Sequence, residues 1–278
     1  MSTTGADVTR RRLQVALGWL WLLDGLLQAQ PFMFTRGFAR QVIAAAGQGQ
    51  PGFVSDPLHW ASTVVAAHPL AWNAVFVAIQ LLLGVGLLVP RTARLALAAS
   101  IAWALGVWYL GEGLSGLASG RASLITGAPG SALVLALLAG AAWPRRDGGR
   151  EGPAPWLPVA WAVVWVGAAV LQAMPGQESF NAAHDGVVPV ALLVAAEYLI
   201  GVGALARRTR LPAIALGLVL TLAFWVLGQD LGRLDSGQAT DPNVGPVLAL
   251  MAIALLVAPG LSLRAGRPRR RRAAAAGR

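Results

Sequence analysis

Cysteine is absent from this 278-residue chain, and so is lysine. The first absence excludes disulfides, thiolate metal sites, iron–sulfur clusters and dithiol relays. Charge is also scarce: 12% of residues are Asp, Glu or Arg, against about 25% in a soluble domain. Tyrosine occurs twice and histidine three times. What is present is apolar: 56% of residues are hydrophobic and the mean hydropathy is +0.61. A soluble domain of this length could not cover that much apolar surface, so the solvent this composition fits is a bilayer. All 22 basic residues are arginine, and with abundant Gly and Ala they point to a GC-rich bacterial genome. The net charge of +10 would suggest nucleic acid in a soluble protein. Its placement beside apolar runs argues instead for no nucleic-acid partner.

Eight apolar stretches are long enough to cross the roughly 30 Å of bilayer hydrocarbon, the fourth being short. They lie near 13–30, 70–89, 94–110, 130–143, 156–174, 187–206, 211–228 and 245–263. The expected fold is all-α and polytopic. Arginines set the expected orientation. Arg10–Arg12, Arg91, Arg94, Arg145, Arg146, Arg150, Arg207, Arg208, Arg210 and the tail arginines from Arg264 onward fall on one side. Arg36, Arg40, Arg121 and Arg233 fall on the other. The positive-inside rule then predicts an inner-membrane protein with both termini cytoplasmic. The first stretch follows three arginines as a signal peptide would, but Asp24 interrupts it and no small-x-small site follows, so a retained helix is expected.

The chain also resembles itself. WLLDGLLQAQP at 21–31 matches WVGAAVLQAMP at 165–175, an offset of 144. Residues 80–142 match 197–259 at an offset of 117, read without a gap. Gly84/Gly201, Gly86/Gly203, Arg91/Arg208, Thr92/Thr209, Trp108/Trp225, Gly111/Gly228 and Pro129/Pro246 are among the pairs. This predicts two parallel four-helix repeats, 1–150 and 151–263, followed by a basic cytoplasmic tail, 264–278. The change of offset places a 27-residue insertion in the first external loop, about 32–69. A helix at 57–67, with Trp60 and Val64 on one side, is expected to lie in the interface and either to add function or merely to cover the bundle.

Two acids lie inside spans, Asp24 and Glu197. Either would cost about 2.5–3.5 kcal/mol at mid-membrane without compensation. Gln28 shares a helical face with Asp24, Gln172 matches Gln28, and Gln80 matches Glu197. These five are the candidate intramembrane polar or proton sites. They could relay a proton or cation or line a polar pocket. They could equally be packing hydrogen bonds, worth roughly 0.6–2 kcal/mol each.

The glycine-rich element W-x-L-G-[EQ] recurs at 108–112 and 225–229 and leads into a long loop. Trp108, Glu112, Trp225 and Gln229 are candidates for the rim of an external pocket, or for aromatic-belt anchors on a structural loop. His59, His68 and His184, with Asp56, Glu178 and Asp185, are weak metal candidates; they read more simply as solvated loop residues, and no metal site is predicted. Asp235, Asp241 and Asn243 lack Ca²⁺-loop spacing and read as turn residues. No nucleophile arrangement is visible, so an enzyme is not expected.

The WLLDGLLQ opening at 21–28, the LGVGLL run before Arg91 and the W-x-L-G-E-G element together resemble the DoxX-like membrane proteins, in the tandem form known from actinobacteria. That resemblance implies a non-catalytic membrane subunit of a redox or envelope system, with an oxidoreductase partner and quinone as the one cofactor it suggests. The family supplies no catalytic motif to carry over. The alternative expectation is a proton-coupled transporter of a small solute, with Asp24 and Glu197 as its proton sites.

Overall fold

The computed structural model describes residues 5–120, 122–144, 154–174 and 190–257. Among them all regular structure is helical. The longer α-helices are α1 (Gly5–Gln28), α2 (Gly52–Ala67), α3 (Pro69–Leu88), α4 (Ala93–Leu110), α5 (Ser131–Ala141), α6 (Leu157–Gln172), α7 (Val190–Gly203), α8 (Arg210–Leu227) and α9 (Val244–Leu256). Each expected span overlaps one of these helices, and α2 belongs to the insertion. Three of them, α3, α4 and α8, are long and apolar enough to cross a membrane. Helices α5, α6, α7 and α9 are apolar but shorter, at 10–17 residues.

The shortest, α5, rises only about 16 Å over its 11 residues, half the hydrocarbon thickness. The physical reason is the chain before it. Instead of a span beginning at residue 130 from the surface, 3₁₀ turns at Gly113–Ser119 and Leu124–Thr126 precede the helix. A similar 3₁₀ segment, Asp230–Ser236, precedes α9.

Helices pair as α1 on α3, α4 on α5, α6 on α7 and α8 on α9, and the two sets meet where α5 packs on α9. These two central helices are the most enclosed, with Val134, Leu138, Val247, Leu248 and Met251 almost or wholly buried. The outer helices expose one apolar face, including Leu82, Leu95, Val219 and Leu227. That is the arrangement a hydrocarbon solvent favours and water does not.

The same local contacts occur in both halves of the chain. A Cβ on Gly84 would sit 2.6 Å from Leu22, and one on Gly201 would sit 2.7 Å from Val166. Likewise Gly86 abuts Ala96 and Gly203 abuts Ala213, each at 2.9 Å. The Thr92 hydroxyl donates to the Gly86 carbonyl and that of Thr209 to Gly203, both at 2.8 Å. Glycine at these places lets neighbouring helices approach backbone to side chain.

One sequence pairing is corrected. The Trp108 indole donates to the Pro129 carbonyl (2.7 Å), whereas Trp225 donates to Pro242 (2.8 Å), not to Pro246. Pro129 therefore corresponds to Pro242, and the ungapped pairing of 80–142 with 197–259 fails beyond the glycine-rich loop. The first half has four more residues there, and the apolar run beyond hides the shift because any register of it is equally apolar.

The insertion folds as a unit. Met33, Phe38, Ile43, Val54, Leu58 and Val65 form a small core of their own. Its helix begins at Gly52, five residues before the expected start, and carries Pro57 inside it. Proline lacks the N–H that would bond four residues back. The carbonyl left over, Phe53, accepts the Tyr109 hydroxyl instead (2.6 Å), which ties the insertion to the end of α4. Gln50 Nε2 donates to the Gly113 carbonyl (2.6 Å) and makes a second tie.

At the opposite end, arginines cap helix C-termini. Arg11 donates to the carbonyls of Leu87 (2.8 Å) and Leu88 at the end of α3. Arg210 Nε donates to Ala204 (2.8 Å) just beyond α7. Cations there meet the negative ends of helix dipoles.

Candidate functional site: a two-compartment cavity

Glu112 sits immediately after α4, in the bend that leads into the 3₁₀ segment. Its Oε1 accepts from the Ser131 hydroxyl (2.8 Å) and from the Ala132 N–H (3.0 Å) at the start of α5. Its Oε2 accepts from the Ser115 hydroxyl (3.0 Å). The carboxyl therefore closes the N-terminus of α5, where orphan N–H groups and the helix dipole favour an acceptor. Gly130, at φ +106°, lies so close that a Cβ there would be 2.1 Å from Glu112 Oε2. In the second half Gln229 takes the same place. Its Oε1 accepts from the Gly245 N–H (3.1 Å), and its Nε2 donates to the Leu124 carbonyl (3.1 Å).

The two versions differ in charge. Burial, followed by the nearby Asp241 carboxylate, pushes Glu112 up to about 7; the bonds from Ala132, Ser131 and Ser115 pull the other way and are outweighed. Gln229 cannot titrate. One half thus carries an acid that changes charge near neutral pH, at a place where the other carries an amide.

Glu112 lines two adjoining cavities. The outer one, a polar vestibule of about 490 Å³, is walled by Ser115, Thr126, Ser131, Arg233, Ser236, Asp241 and Asn243 among others. The inner one, a chamber of about 580 Å³, is mainly apolar and reaches Trp21, Asp24, Gln28, Trp72, Phe76, Gln80 and Trp103. Gln41, Val42, Ala46, Glu112, Ser131, Thr240 and Asp241 border both, so the compartments meet at Glu112 and Asp241. The insertion supplies one wall of the chamber through Phe38, Ile43, Trp60, Val64 and Val65. Trp60 and Val64 therefore do share a face, and that face borders a cavity.

The floor of the chamber carries unsatisfied acceptors. Asp24 is only 3% exposed and its Oδ1 has no hydrogen-bond partner; Gln80 is 7% exposed and its Oε1 has none. Gln28 is engaged: it donates to Asn73 Oδ1, and Asn73 Nδ2 donates back to the Gln28 carbonyl (2.9 Å). Trp72 and Phe76 rings stand 6.2 Å apart and Phe76 and Trp103 5.7 Å apart, a run of aromatic faces along one side.

Of the five intramembrane candidates, the structure thus gathers Asp24, Gln28 and Gln80. It does not bring Gln172 or Glu197 to either compartment. Gln172 Oε1 accepts from the Ser123 hydroxyl (3.1 Å) on the loop before α5. Glu197 is wholly buried on α7, with both carboxyl oxygens unpartnered. Of the four rim candidates, Glu112 lines the cavity. Trp108 and Trp225 hold loop carbonyls, and Gln229 holds the start of α9.

His59 and His68 are exposed at α2 and its end. Among the described residues no group of three His, Asp or Glu could hold a metal ion. His184, Glu178 and Asp185 lie outside the described residues. Asp241 is a turn residue as expected, its Oδ1 accepting from the Asn243 N–H (2.8 Å), but it also faces the cavity. Sequence reasoning missed that role, since nothing in a chain distance of over a hundred residues links it to Glu112. It also missed Asn73, whose signal was visible: one of two amides, with Gln80, within the apolar helix 69–88.

Comparison with known proteins finds no matching family model, no matching curated protein and no matching solved structure.

Proposed function

We propose that the chain is a multi-pass inner-membrane protein of eight spans in two parallel units, with both termini cytoplasmic and the cavity opening outward. It binds a small amphipathic molecule and performs no chemistry on it. In this reading it serves as the membrane subunit of a redox or envelope system, in the manner of the DoxX-like proteins it resembles. The observation that carries the reading is the two-compartment cavity, polar outside and aromatic within, walled by an insertion that only one half possesses. A covering loop alone would not need unsatisfied acceptors and aromatic rings on its inner side. The recurrence of the Gly84–Leu22 contact as Gly201–Val166 supports duplication. The arginines at one end of the bundle support the orientation.

Quinone fits the chamber's size class and apolar walls, and it is the cofactor this reading allows. Mass spectrometry of the protein purified from its native membrane is the test. A stoichiometric oxidoreductase or a retained amphipathic molecule is expected. A lone protein with no small molecule would contradict the subunit reading.

One observation favours a second reading, proton-coupled transport: Asp24 lines a cavity that leads outward past Glu112. Glu197 lines neither compartment, so the pairing of Asp24 with Glu197 as joint proton sites has no common path among the described residues.

A further inference from the structure

The chamber has a chemical bias beyond being apolar. Among the described residues, the carboxyl groups of Asp24, Glu112 and Asp241 border it and no arginine or histidine does. Among the described residues the cation beside the cavity is Arg233, which lines the outer vestibule alone. At the floor, Asp24 Oδ1 and Gln80 Oε1 are buried acceptors without donors, and both line this same space. An acceptor held this way calls for a donor or a positive charge from whatever fills the chamber. The walls present Trp21, Trp72, Phe76 and Trp103, whose π faces attract cations most strongly where water is excluded.

We propose that the chamber binds a lipophilic organic cation, an amine or quaternary onium centre on an apolar body, with its charge held by Asp24 and its body among the aromatic rings. This rests on the reading of the chamber as a ligand site and narrows it to one chemical class. A neutral carbonyl compound, a quinone included, could accept from an amide N–H but brings neither a donor nor a positive charge to Asp24 Oδ1. An anion would meet three carboxyls. A cation with an apolar body answers the floor and the walls together.

The test uses the full-length protein in detergent and three probes of similar bulk. Tetraphenylphosphonium is the cation, tetraphenylborate the anion, and triphenylphosphine oxide the neutral compound. Calorimetry and quenching of tryptophan fluorescence read binding. Tetraphenylphosphonium is expected to bind at least tenfold more tightly than tetraphenylborate. Asp24→Asn should weaken it at least tenfold. Gln80→Leu keeps the charge but removes an acceptor, and should weaken it several-fold. Thr221→Val, buried on α8 and away from the chamber, should leave it unchanged. Thermal unfolding checks that each variant is folded; should Asp24→Asn not fold, Gln80→Leu and the anion comparison still decide. Equal binding of cation and anion, binding of the neutral probe alone, or an unaltered affinity in folded Asp24→Asn overturns the proposal while leaving the chamber as a ligand site. Failure of all three probes overturns both.

Discussion

Glu112→Gln should reduce the dependence of stability on pH between about 5 and 8. In the native state Glu112 holds its proton up to about 7, while an exposed glutamate loses it near 4.5. Between those values the native state binds more protons than the unfolded one, so stability falls as pH rises, and the loss is complete above 7. The size of the effect is on the order of 3 kcal/mol, since each pKa unit is worth about 1.4 kcal/mol. Thermal unfolding of the detergent-solubilised protein, followed by tryptophan fluorescence at pH 5, 6, 7 and 8, measures it. Wild type should melt at progressively lower temperature across the series, and the slope should be clearly smaller in Glu112→Gln. An unchanged slope in the variant would mean that Glu112 does not contribute to it. Gln229 shows that an amide can occupy this place, so the variant should fold. Glu112→Leu should fare worse at every pH, because the Ser115, Ser131 and Ala132 donors would lose their acceptor at about 1–3 kcal/mol each.

Gly130→Ala should be strongly damaging. The new Cβ would be 2.1 Å from Glu112 Oε2, 2.2 Å from Ser115 Oγ and 3.1 Å from the Trp108 ring, with φ at +106°. Backbone strain of about 1–3 kcal/mol then adds to the disruption of the three hydrogen bonds to the Glu112 carboxyl, worth about 0.5–1.5 kcal/mol each. A drop of about 3–5 kcal/mol is expected, seen as a large fall in melting temperature and in folded yield. Gly120→Ala is the control. Gly120 also has positive φ (+71°), but a Cβ there would meet no described residue within 4 Å, so mainly strain should register. Equal losses in the two variants would show that crowding against Glu112 is not what requires glycine at 130. Asn243, at φ +66°, stands in the corresponding place of the second half. Positive φ by itself therefore admits a side chain there.

The helices were legible because hydropathy and arginine placement are written along the chain, one span at a time. Each expected span overlaps a helix, three of them long and apolar enough to cross a membrane, and the Gly84, Gly86 and Thr92 contacts recur where the offsets of 117 and 144 place them. What failed was register inside apolar sequence. Pro129 pairs with Pro242 because the Trp108 and Trp225 indoles select a carbonyl in space, and identity counts over Leu, Ala and Val cannot see that. Helix length failed for a related reason, since composition does not reveal that the chain before α5 coils in 3₁₀ turns before the helix starts. The cavity was half legible. Asp24, Gln28, Gln80 and Glu112 stood out as polar groups in apolar surroundings. Asp241 did not, because a turn aspartate is ordinary until the fold sets it beside Glu112. Glu197 stood out equally and borders neither compartment, so an intramembrane acid marks a place of interest without saying which side of the helix matters.

An outward-opening cavity in a membrane-spanning bundle is the central claim, and the absence of cysteine makes it directly measurable. Ser236→Cys puts a thiol at the exposed wall of the vestibule, and Ala206→Cys puts one at the arginine-rich end, beyond the other terminus of α8. The 18 residues of α8 separate the two by about 27 Å. Intact spheroplasts are treated with a membrane-impermeant maleimide, before and after permeabilisation. The account predicts that Ser236→Cys is labelled in intact cells and that Ala206→Cys is labelled only after permeabilisation. The reverse pattern, or labelling of both in intact cells, would contradict it.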